Sequence, residues 1–156
     1  MKKTVQDESR IESLERLCRD ITMERCELSI IRDKLKTGSD LVATFRPYNS
    51  KAAKIEVEMD IDFGINLLLG EASPFEIPFA GGYYTSQPWL EEVRAFCLAV
   101  MAGHFQERLI EVRGKIKGSD HCILLPTGKE VREHWRKGIL LPFAKKQERL
   151  MRYEPY

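Results

Sequence analysis

Between Lys54 and Phe63 the chain reads KIEVEMDIDF, and Ile55, Val57, Met59, Ile61 and Phe63 alternate without a break with Glu56, Glu58, Asp60 and Asp62. Successive strand side chains point to opposite faces, so this run makes a ribbon with one dry face and one wet face. A helix would spread the same apolar side chains round its circumference and bury several carboxylates. A half-buried strand is expected here, and other elements must cover its dry side.

The flanking sequence supplies neighbours. Asp40 to Arg46 predicts an earlier strand, stopped by Pro47-Tyr48-Asn49-Ser50. Gly64 marks a tight turn or bulge, Ile65 to Leu69 predicts a following strand, and Phe75 to Ile77, bounded by Pro74 and Pro78, suits an edge because proline cannot donate to a ladder. Residues 40–79 thus predict an antiparallel meander. From Trp89 the positions Leu90, Val93, Phe96, Cys97, Val100 and Met101 form one apolar stripe, which predicts a helix over 87–103 lying on the dry face. Ser86 is its expected cap, with Pro88, Glu91 and Glu92 in the favourable first turn.

Ser9-Arg10-Ile11-Glu12 has capping-box spacing, and the Leu, Arg, Glu and Lys that follow predict one helix over 10–37, ended by Gly38. Leu14, Ile21, Leu28 and Leu35 recur every seven residues, with Leu17 and Ile31 on the same seam. Such a helix is ~42 Å long at ~1.5 Å per residue, whereas a domain of this size is only ~40 Å across. Part of that seam would lack a cover within one chain, so a homodimer is expected.

Toward the C-terminus, Leu109 to Ile116 and His121 to Leu125 predict a hairpin turning at Lys117-Gly118-Ser119-Asp120. Arg113, Lys115 and Lys117 would stand opposite the acidic row if that hairpin neighboured it. Thr127-Gly128-Lys129-Glu130 predicts a short helix to Lys137 presenting Val131 and Trp135, then a buried run Ile139 to Phe143, then a last short helix packing Phe143, Leu150 and Met151. The expected architecture is a single α+β domain over 1–156. It has a long N-terminal helix, a meander sheet of about five to six strands, one amphipathic helix on it and short C-terminal helices.

Apolar residues make up 43% and charged residues 31% of the 156, with a net charge of +1. That size supports a core without metals or bridges, and the charge recommends neither a nucleic-acid nor a membrane partner. No apolar run approaches the ~20 residues that cross a bilayer. The lysines of MKKTVQDESR are followed by charges instead of the apolar core of a signal peptide. Cys18, Cys26, Cys97 and Cys122 contain no CxxC pair, which fits a reducing, cytoplasmic setting. Residues 40–92 hold nine acids against three bases and 129–156 hold eight bases against four acids, so the two segments are expected to pair.

Four constellations invite chemistry. Glu56, Glu58, Asp60 and Asp62 share a face at ~6.6 to 7 Å per step, too far apart to chelate one ion directly. Cys97 or Cys122 with His104 or His134 could meet as a nucleophile pair only in space, and no histidine or cysteine has zinc-ligand spacing. Pro126 to Glu130 contains Gly-Lys but lacks the earlier glycine and following hydroxyl of a phosphate loop, and Gly81-Gly82 matches no dinucleotide fingerprint. Phe79, Tyr83, Tyr84 and Trp89 cluster on a glycine-hinged loop and the helix start after it, where aromatics offer large contact area and a polar tip. These residues and the acidic row are the expected contact surface. No metal or cofactor is expected. The reading is a non-enzymatic module that binds another protein, in the general style of small bacterial toxin-neutralising or secretion-accessory proteins. The alternative is a ligand-binding domain or small enzyme with its pocket between the sheet and the 87–103 helix.

Overall fold

The computed structural model describes residues 2–22, 24–34, 38–138 and 145–156. Helix α1 spans Val5–Ile21 and starts on a capping box one turn earlier than Ser9: the Thr4 hydroxyl accepts from Asp7 N at 3.2 Å, and the Asp7 carboxylate accepts from Thr4 N at 2.7 Å. The helix does not run to 37. Cys26–Lys34 is strand β1, paired antiparallel with β2, Ser39–Pro47. Alternation explains the difference. Cys26, Leu28 and Ile30 face one side and Glu27, Ser29 and Ile31 the other, so the sevenfold spacing joined a helical stripe to a strand by coincidence. Leu14, Leu17 and Ile21 are buried within their own chain, Leu28 and Ile31 lie on β1, and Leu35 lies outside the described residues.

Strands β3 (Ile55–Asp60), β4 (Gly64–Leu69) and β5 (Ser73–Ile77) complete a five-stranded antiparallel sheet in the order β1-β2-β3-β4-β5. The meander over 40–79 is therefore present, with β5 at an edge. Its inner face carries Leu41, Ala43, Phe45, Ile55, Val57, Met59, Ile65, Leu67, Leu69, Phe75 and Ile77, none more than 3% exposed. Each large aliphatic or aromatic group so buried contributes ~1.5 to 3 kcal/mol. Helix α1 lies over β1 and β2, and α2, Trp89–Met101, lies over β4 and β5 with Val93, Phe96, Cys97 and Val100 fully buried. Pro88 occupies the α2 cap position without a side-chain bond, so Ser86 is not the cap. Ile61 packs on the core, but Phe63 has left the dry face and is 84% exposed in the β3–β4 turn. Gly64 permits that turn: its φ is +126°, and a Cβ there would stand 2.7 Å from Ile77 O.

A second antiparallel sheet, order β8-β7-β6-β9, is built from β6 (Phe105–Val112), β7 (Lys115–Leu124), β8 (Glu130–Arg136) and β9 (Lys146–Arg152). Its first hairpin turns at Arg113-Gly114, with φ of 52° and 72°, the positive pair that a two-residue turn requires; Lys117 to Asp120 are strand residues. β3 is flanked by β2 and β4, so Arg113, Lys115 and Lys117 do not face the acidic row. The expected helix at 127–137 is β8, since Val131 and Trp135, four apart, share a face in a strand as well as in a helix. The expected terminal helix is β9, followed by Tyr156, whose hydroxyl donates to Ala53 O at 2.8 Å. The run 139–143, including Phe143, lies outside the described residues.

Candidate protein-binding groove

The two sheets meet along β5, and side chains of the second sheet close its open edge. Ser119 Oγ donates to Ala72 O at 2.6 Å, and His121 Nε2 lies 3.2 Å from Pro74 O. The Tyr84 hydroxyl lies beside the Glu76 backbone. These three take up positions 72, 74 and 76, the alternate residues that an additional strand would have to address. Ser119 and His121 sit two apart on β7, so one strand face supplies both, with Ser119 Oγ 2.9 Å from His121 Nδ1. Glu107 on β6, in register with His121, is wholly buried and accepts from Glu71 N at 2.7 Å, Ala72 N at 3.2 Å, Ser73 Oγ at 2.5 Å and the Tyr153 hydroxyl. Serine, histidine and glutamate here form a structural seam. Both Ser119 oxygen contacts are internal, and neither Ser119 nor His121 is more than 3% exposed.

On the other side of the seam a groove of about 780 Å³ opens between the wet face of the first sheet and β8. Glu58, Asn66 and Glu76 form a row across β3, β4 and β5, each in register with the next. Asp60 extends the floor, and Glu133 and Trp135 form the opposite wall. Phe63, 84% exposed, and Tyr83, 66% exposed, stand at the rim, with buried Tyr84 beneath. Among the described residues no lysine or arginine forms an ion pair with Glu58, Asp60, Glu76 or Glu133. Burial, then the nearby Glu133 charge, raises the Tyr84 hydroxyl well above its ordinary pKa, so it stays a neutral phenol.

The expected contact residues separate. Tyr83 and Tyr84 reach the groove, whereas Phe79 and Trp89 pack on each other at 5.3 Å, with the Arg10 guanidinium 4.3 Å above Phe79. Glu58 and Asp60 line the groove, Glu56 is held by Lys54 at 3.5 Å, and Asp62 belongs to the β3–β4 turn. The expected pairing of acids in 40–92 with bases in 129–156 is absent from the ion pairs of the described residues, and the one pair that joins the two segments, Lys51 with Glu154 at 3.5 Å, runs in the opposite sense. Sequence reasoning missed Phe63, Glu76, Glu133 and Trp135 as groove residues, because the last two were placed on a helix. It also missed Glu92, whose Oε1 accepts from Tyr84 N at 3.0 Å and Thr85 N at 2.7 Å and so pins the aromatic loop to α2.

Nucleophile chemistry finds no support in the thiols. Burial pushes Cys18 up to about 12 and Cys97 well above the usual thiol range, and raises Cys122, the reverse of an activated cysteine. Among the described residues no group of three or more His, Cys, Asp or Glu is placed to hold a metal ion, and no helix is long and apolar enough to cross a membrane. Beneath α2 the space that a ligand pocket would need is filled by Phe75, Phe96, Val93 and Val100. The chain matches no protein-family model, no curated protein and no solved structure.

Proposed function

We propose that this chain is a non-enzymatic protein-interaction module that holds another protein in the groove between its two sheets. The observation that carries the reading is the exposure of Phe63 and Tyr83 beside Trp135, around a floor of carboxylates that no described cation neutralises. Aromatic rings left in water beside a concave surface are the groups that binding hot spots use. Cys18, Cys97 and Cys122 are free thiols, which suits a reducing compartment such as the cytoplasm. A toxin-neutralising or secretion-accessory role is one form this activity takes. Self-association is the other mode to be tested. With Leu14, Leu17 and Ile21 used inside the chain, a homodimer has to be built on another surface, and light scattering reports its mass.

The test is a Tyr83→Ala, Trp135→Ala variant compared with the parent protein in crosslinking from native extract. The expected result is an unchanged melting temperature with loss of the crosslinked partner. A partner retained in full by the variant removes the groove from the reading.

A further inference from the structure

We propose that the groove takes an arginine-bearing segment of the partner protein, captured by its side chains and not added as a strand. This rests on the protein-interaction reading and gives its partner a chemistry.

Three observations converge. The first is charge complementarity: Glu58, Glu76, Asp60 and Glu133 surround one concavity without a described counter-ion, so an occupant bearing cations gains what an anionic or neutral one forfeits. Glu58 and Glu76 are separated by Asn66, two strand spacings apart, or ~10 Å. That separation is too wide for one cation to bridge, and two arginines on alternate residues of an extended segment, ~7 Å apart at the backbone, span it by splaying their long side chains. The second is the shape of the cation. Phe63 and Tyr83 present exposed rings and Trp135 lines the opposite wall, and a planar guanidinium stacks on such faces while forking onto a carboxylate. A compact ammonium satisfies the carboxylate but gains less from the rings. The third concerns mode. The edge of β5 beside the groove is occupied by Ser119, His121 and Tyr84, and Pro74 has no N–H to offer. Strand addition there is closed, which leaves side-chain capture.

The experiment uses three capped hexapeptides in which glycine alternates with arginine, lysine or glutamine, titrated into the whole protein by calorimetry, with the Trp135 indole signal followed by NMR. The arginine peptide is expected to shift that signal, to bind at least threefold more tightly than the lysine peptide and to weaken as salt rises. The glutamine peptide is expected not to bind. Glu58→Gln with Glu133→Gln, which keeps side-chain size, should lower arginine-peptide affinity about tenfold with an unchanged circular dichroism spectrum. Equal binding of the arginine and glutamine peptides, unchanged binding by the double variant, or a Trp135 signal that no peptide moves overturns the proposal. If the peptides fail while Tyr83→Ala with Trp135→Ala still loses the crosslinked partner, the cationic partner is wrong and the interaction reading stands. If that aromatic variant keeps the partner, both fall.

Discussion

Glu107 shows how much one buried carboxylate can organise. It collects donors from the β4–β5 turn and from Tyr153, and truncating a charged acceptor strands all of them out of water. Glu107→Gln should cost ~2 to 4 kcal/mol, because its amide NH₂ must face at least one of those donors. Urea denaturation measures this, and a loss under ~1 kcal/mol contradicts the account. His121 makes a second prediction at the same scale. Burial, the largest influence, pulls its pKa below 6.5, against the raising effects of Pro74 O and Glu107. A folded-state pKa lower than the unfolded one means that the unfolded chain binds more protons in that window. Stability is therefore full above pH 6.5 and declines as pH falls toward the folded-state value. His121 is faced by Glu107 on β6, Glu133 and His134 on β8, and Asp120 on its own strand. His121→Gln should flatten the fall in melting temperature between pH 7 and pH 5. An unchanged slope assigns it to other groups. Neither residue stood out in the sequence. Position 107 shares the inward phase of Phe105 and Leu109, which is the signal that could have found it, but the strand was expected to begin at Leu109.

At the scale of elements, what could be read was governed by length and contrast. The ribbon at 55–60, its neighbours and the α2 stripe have long apolar patterns of one period, and each was found within a few residues. Elements with mixed patterns were misassigned. Residues 10–37 joined a helix to a strand through a seven-residue repeat that fits neither alone. Glu130–Arg136 is an edge strand rich in charge, where only Val131 and Trp135 mark a face, and charge at an edge serves against unwanted pairing. The groove therefore escaped prediction as a whole, since one wall depended on β8. Gly64 offers a test of the better-read half. Gly64→Ala forces a Cβ to 2.7 Å from Ile77 O at a φ of +126°, and should destabilise by ~1 to 3 kcal/mol, read in urea as a lower midpoint with the same slope. A neutral result would mean that the β3–β4 turn relaxes freely.

For the whole molecule, the decisive feature is that two sheets, each antiparallel and each with its own order, are fastened edge to face along β5. Sequence could not show this, because the seam joins residues 72–74 to 119–121 through hydrogen bonds that no local pattern announces. Ser119→Ala with His121→Ala removes those bonds and should speed amide exchange in β5 and β7 while leaving β2 and β3 protected. Uniform acceleration across both sheets would show that the fold opens as one cooperative unit. A chain with exposed strand margins risks templating its own kind into fibrils, and here serine and histidine act as stoppers along the margin at β5. Variants that pull the stoppers should thus betray themselves first in the insoluble fraction, before any loss of binding is seen.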